Sequence, residues 1–109
     1  MSLILSRTYP DDEDEKNREY FWTVTSEGVY VGSIVYQGTM PKPMWQWSVT
    51  VQYPSPGVAK HGLADSRENA AKAFRSAWDK YRPAIGDDRW LQWIKHVELV
   101  DARAKAKRY

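Results

Sequence analysis

The chain has 109 residues, 14% of them aromatic, no cysteine and a formal net charge of +2. A chain of that length makes one domain that buries a core without staples, and the lack of Cys excludes disulfides and thiolate zinc sites while suiting a reducing compartment. The start, Met1-Ser2-Leu3-Ile4-Leu5, holds three consecutive apolar residues; a signal peptide needs roughly 7–15 and a membrane span about 20, so the expectation is a cytoplasmic protein with no membrane partner.

Residues 1–19 read as an acidic, flexible arm. The run Asp11-Asp12-Glu13-Asp14-Glu15 repels itself and carries no apolar periodicity. Residues 1–28 hold seven acids and three bases, net −4, whereas residues 29–109 hold seven acids and thirteen bases, net +6. Residues 20–101 read as a single α+β domain and 102–109 as a basic tail. A first strand is predicted over 20–25, then a turn at Ser26-Glu27-Gly28, where Gly28 is free to take a positive φ. The second strand, 29–36, is apolar on both faces, and Gly32 inside it marks a bulge or a close backbone approach.

Two prolines, Pro41 and Pro43, make 37–44 a loop. The third strand, 45–53, has the clearest period of two. Trp45, Trp47, Val49, Val51 and Tyr53 are large and apolar; Gln46, Ser48, Thr50 and Gln52 are polar and uncharged. Pro54-Ser55-Pro56-Gly57 ends it. Residues 58–64 fit either a short fourth strand or a loop.

A helix is predicted over 66–82, capped by Asp65 or Ser66, with Ala70, Phe74, Ala77, Trp78 and Tyr81 on one stripe. Pro83 is expected to stop it. Asp87-Asp88 then caps a second helix near 88–101, with the stripe Trp90, Trp93, Ile94, Val97 and Val100. The order β-β-β-α-α implies a three-stranded antiparallel sheet, one amphipathic helix laid across Trp45, Trp47, Val49 and Val51, and a second, C-terminal helix. Trp47 and Trp78 are expected in the core, joined by Trp22. Trp90 and Trp93 start a helix without an obvious partner and read as surface or interface aromatics.

Three stretches carry a resemblance: Trp45-Gln46-Trp47-Ser48, Gly62-Leu63-Ala64-Asp65-Ser66-Arg67-Glu68-Asn69-Ala70, and Ala73-Phe74-Arg75-Ser76-Ala77-Trp78. Together they resemble a group of short, uncharacterised bacterial proteins with a W-x-W strand, a G-x-A-x-S-R-E-x-A helix start and an A-F-x-x-A-W stripe. The likeness covers about a third of the chain and implies no activity. In layout alone, β-β-β-α also resembles the small DNA-reading domains of the AP2 and integrase type. Those need Lys and Arg on their strands, because phosphates and guanine edges call for cationic donors. The three predicted strands have neither.

The function classes narrow accordingly. The two histidines, His61 and His96, stand in no metal or nucleophile motif, and no Gly-rich phosphate loop is present, so no catalytic residue, metal or cofactor is assigned. With Val29, Val31 and Val35 toward the helix, Tyr30, Ile34 and Tyr36 would form an aromatic platform beside Phe21, Ser48 and Thr50. Such a face stacks bases, or is covered by the second helix or by a second copy. The acidic run either stays solvated or pairs with the basic tail. The sequence therefore reads as a small non-enzymatic binding or interaction module, with Tyr30, Tyr36, Trp90 and Trp93 as candidate interaction residues and a homodimer or other protein as partner. The alternative is nucleic-acid binding through Arg103, Lys105, Lys107 and Arg108.

Overall fold

Five strands that follow one another in the chain are also neighbours in space. The computed structural model describes residues 3–39 and 41–106. The strands β1 (Leu3–Arg7), β2 (Phe21–Ser26), β3 (Val29–Gln37), β4 (Met44–Val49) and β5 (His61–Ala64) form an antiparallel meander in the order β1-β2-β3-β4-β5. A short helix, α1 (Glu15–Tyr20), precedes β2, and one helical segment, Arg67–Ala106, follows β5. Gly86, at φ 81° and ψ 168°, divides that segment into α2 (67–85) and α3 (87–106). The class is α+β, but the sheet has five strands rather than the expected three. No helix among the described residues is long and apolar enough to cross a membrane.

Both extra strands come from segments with weak local signals. The first is the arm. Leu3, Leu5 and Arg7 pair with Ser26, Val24 and Trp22, so the N-terminal apolar residues pack against β2. Two acids of the run that was expected to stay solvated bond to backbone amides. Asp12 accepts the amide of Asp14 at 2.8 Å, and Asp14 caps α1 through the amide of Lys16 at 2.9 Å. Arg7 closes the fold-back on Glu19 at 2.7 Å. The second is the ambiguous 58–64 stretch, whose last four residues pair with Trp45–Ser48. Their register places Gly62 opposite Trp47, where an added Cβ would lie 2.8 Å from the indole nitrogen. A strand with a glycine at its centre is legible only once the tryptophan that lies over it is known.

β3 departs most from the sequence reading. Val24 faces Gly32 while Thr25 faces Tyr30, so Val31 is an extra residue. Such a bulge breaks the alternation of the strand. Val31 and Ile34, one odd and one even, are therefore both fully buried. Gly32 is needed at this point because Phe74 of α2 presses on the backbone: a Cβ there would sit 2.5 Å from the ring. The platform of Tyr30, Ile34 and Tyr36 is not assembled. Ile34 pairs with Trp47 under α2, and Tyr36 stacks on Tyr20 at 4.3 Å and Trp45 at 5.3 Å.

α2 covers the sheet much as its stripe requires. Ser66 caps it, accepting the amide of Asn69 at 3.0 Å. Ala70, Phe74, Ala77, Trp78 and Tyr81 are buried, and Phe74 meets Trp47 edge to face at 6.3 Å. Tyr81 reaches across to the backbone after β4 and donates its hydroxyl to the carbonyls of Val51 (3.0 Å) and Tyr53 (2.5 Å). That side-chain tie holds the chain beyond β4, which stops at Val49 and not at the expected Tyr53. Pro83 does not end the helix; the positive φ of Gly86, in a region open almost only to glycine, does. Arg82 spans the bend, pairing with Asp87 at 3.0 Å with its guanidinium over the Trp90 ring.

Candidate functional site

The bend at Gly86 turns α3 back over the hairpin end of the sheet. Trp90 meets Trp78 edge to face at 5.7 Å. Trp93 donates its indole N–H to the carbonyl of Tyr30 at 2.8 Å. Both tryptophans are only 5% exposed, which corrects their reading as surface aromatics. The partner missing from the sequence is supplied by the bend itself, since it brings α3 onto α2 and onto the β2–β3 hairpin.

The seam that begins with these tryptophans does not end with them. Trp90, Trp93, Val97, Val100 and Ala104 recur at alternating spacings of three and four, the rhythm of one helix packed along another. The first two are consumed by the molecule's own core. Val97 is half-buried, and Val100 is 50% exposed. A groove of about 310 Å³ opens beside this outer half of α3, lined by Tyr30, Trp93, His96, Val97, Val100, Asp101 and Ala104. His96 lies along the wall, its ring tilted against Trp93 at 5.3 Å. Leu91 and Leu99 on the same helix are also half exposed.

Two of the four predicted interaction residues, Tyr30 and Trp93, meet in this groove. Tyr36 belongs to the aromatic cluster at the other end of the strands, and Trp90 lies inside. The residues that sequence reasoning missed as a site are His96, Val97, Val100 and Ala104. The three-four spacing of Val97, Val100 and Ala104 was the available signal, but a helix stripe does not announce how far its cover extends. Of the alternative nucleic-acid residues, Arg103 is exposed near the end of α3. Lys105 is helical in backbone, and Lys107 and Arg108 lie outside the described residues.

The rest of the surface is chemically plain. The sheet face opposite α2 carries the cross-strand rows Ser6, Thr23, Ser33, Ser48, His61 and Phe21, Val35, Gln46, Leu63. Neither row contains Lys or Arg. Desolvation pushes the Lys60 ammonium below the ordinary lysine range. It donates to the Val51 carbonyl and sits 5.2 Å from the centre of the Tyr81 ring. Burial also raises the Tyr81 phenol. Both groups are committed to backbone carbonyls. Among the described residues no three His, Asp or Glu side chains are grouped to hold a metal.

Comparison with known proteins identifies no relative. No family model, curated protein or solved structure matches the chain. Of the residues behind the resemblance to short bacterial proteins, Trp47, Ala70, Phe74, Ala77 and Trp78 are buried in the core, while Glu68 is exposed.

Proposed function

We propose that the protein is a non-enzymatic interaction module whose docking surface is the outer half of α3 together with Tyr30. One observation carries this reading: the apolar seam of α3 continues past the part of the sheet that covers it, leaving Val100 half exposed over a groove. Apolar side chains held on a rigid helix beside a groove are how one protein seats a helix of another. Five of the seven residues lining the groove, Tyr30, Trp93, Val97, Val100 and Ala104, are apolar or aromatic. The functional weight therefore rests on shape and apolar area.

The test is Val100→Asp, a change at an exposed position. An occupied surface self-associates in light scattering; a vacant one lights a naphthalene-sulfonate dye that fluoresces on apolar surface. The wild type is expected to show one of these properties and the variant neither. A wild type with neither property would overturn the reading. Salt-sensitive binding of a mixed oligonucleotide, lost on removal of 102–109, would favour the nucleic-acid alternative instead.

A further inference from the structure

We infer that the outer edge of β1 takes up an extended, acidic segment of a partner protein as a sixth strand, with one aliphatic side chain of that segment seated between β1 and α2. This surface lies apart from α3 and does not rest on the reading of the α3 groove. β1 pairs with β2 on one side and forms the edge of the five-stranded sheet. Thr8 donates its amide to the carbonyl of Phe21 at 3.0 Å. Bonded positions alternate along an antiparallel pair. Ser6 and Ile4 therefore also turn their backbone groups toward β2, and Leu3, Leu5 and Arg7 turn theirs outward. Among the described residues no backbone hydrogen bond from another segment reaches those outward groups. Such a row of amides and carbonyls is a template for another strand. No proline, glycine or bulge interrupts β1, whereas β5, the other edge, is four residues long with Gly62 inside it.

The gap between β1 and α2 selects the side chain. A cavity of about 120 Å³ opens there, with Leu3 and Leu5 on the strand side and Ala71 and Arg75 on the helix side. Val24, Ile34 and Phe74, at most 3% exposed, make its floor. A residue paired directly opposite Leu5 points to the same face as Leu5, into this cavity. A void of roughly 150 Å³ with such a lining holds benzene, so this one suits a leucine or isoleucine and refuses an indole. Charge selects the flanks. Arg7 and Arg67 both lie against the Trp22 ring, at 5.5 and 4.3 Å, and Arg75 stands about two turns along the same face of α2 from Arg67. Arg7 pairs with Glu19 and Arg67 with Glu68, but Arg75 is exposed and has no ion pair among the described residues. Acids two places before and after the aliphatic residue share its face and reach these guanidiniums. The same cations disfavour a second copy paired β1 to β1, because the two-fold axis would bring two Arg75 side chains to one seam.

The experiment uses the full chain and the capped peptide acetyl-Thr-Asp-Thr-Leu-Thr-Asp-Thr-amide, whose acids stand two places on either side of its leucine. Amide exchange should slow on titration at Leu3, Leu5 and Arg7, the outward amides, and stay unchanged at Ile4 and Ser6, which already face β2. The same peptide methylated on its leucine amide nitrogen lacks the central donor and should not bind. Arg75→Glu, a change at an exposed position, should weaken binding severalfold and reduce its salt dependence, with an unchanged far-UV spectrum. Val100→Asp should leave binding as it is, which separates this surface from α3. Unprotected Leu3 and Leu5 amides at millimolar peptide overturn the proposal. Equal binding of the methylated peptide, or of one with lysine in place of both aspartates, overturns it as well. Protection of Leu3 and Leu5 that rises with protein concentration in the absence of peptide makes a second copy the occupant and also overturns it.

Discussion

The indole of Trp93 donates to the backbone carbonyl of Tyr30 at 2.8 Å, across 63 residues of chain. This bond fixes α3 on the β2–β3 hairpin and so sets the angle at which the rest of the helix leaves the body. Trp93→Phe removes the donor together with part of the buried ring area. It is expected to cost about 1–2 kcal/mol, the range for leaving a partly buried carbonyl without its hydrogen bond. Urea denaturation checks the value. Faster amide exchange confined to 93–106 would locate it, and a loss below a few tenths of a kcal/mol would show that α3 is held by packing alone.

Phe74 and Trp78 carry the contact between α2 and the sheet, at 1% and 0% exposure. Replacing either by Ala is expected to cost about 3–5 kcal/mol, the usual range for truncating a buried aromatic. A denaturant melt showing less than about 1 kcal/mol would mean that α2 is not the principal cover of the sheet.

Gly32→Ala tests the bulge. Its new Cβ would meet the Phe74 ring at 2.5 Å and crowd the Ser48 carbonyl. Overpacking of this kind typically costs about 1–3 kcal/mol, and the value here should lie toward the upper end because one neighbour is backbone. The double variant Gly32→Ala/Phe74→Leu is expected to recover part of the loss, measured by thermal melting as a non-additive pair.

Gly86→Ala tests the bend by a different route. Nothing lies within 4 Å of the added Cβ, so the cost comes from backbone strain at φ 81°, about 1–3 kcal/mol. If the helix relieves the strain by straightening, Trp90 leaves Trp78. A change in the near-UV tryptophan signal should then accompany the drop in Tm. A stable variant with an unchanged signal would show that the bend does not depend on glycine.

The buried Tyr81 and the half-buried Lys60 predict opposite responses at high pH. Burial raises Tyr81 above its ordinary 10.0. The fold therefore favours the neutral phenol, and this stability is complete below pH 10.0 and lost as pH climbs through the folded value. Lys60 is lowered from 10.5. Its contribution is present above pH 10.5 and lost as pH falls through its folded value. Tyr81→Phe should therefore flatten the alkaline loss of stability, besides costing about 1–2 kcal/mol near neutrality for its hydrogen bonds. Lys60→Met should remove the opposing rise. Stability measured against pH for both variants checks the signs, and parallel curves for wild type and Tyr81→Phe would refute the phenol's part.

Much of the architecture was legible in local patterns. Trp47, Val49 and Val51 alternate with polar neighbours because one face of β4 packs under a helix. Phe74, Ala77, Trp78 and Tyr81 recur at helical spacing because they are what packs there. Two of the seven residues lining the candidate site were also legible, since Tyr30 and Trp93 stand out as aromatics without an obvious place. Their meeting was not, because neither position signals the other across the intervening chain.

By itself, the sequence determined the class of the fold, the two long helices, the face of β4 that makes the core and the absence of strand cations in β2, β3 and β4. These depend on the spacing of side chains along a strand or helix, which is a local property. Tertiary structure alone decided the rest. It recruited Leu3–Arg7 and His61–Ala64 as outer strands, shifted the phase of β3 at Val31, buried Trp90 and Trp93, and left Val100 exposed. Each outcome depends on a partner distant in the chain: a strand edge needing a ladder, a Phe74 ring needing a glycine, a carbonyl at Tyr30 needing a donor. The point on α3 where the apolar seam passes from buried to exposed falls where the sheet ends, and no residue of α3 records where that is.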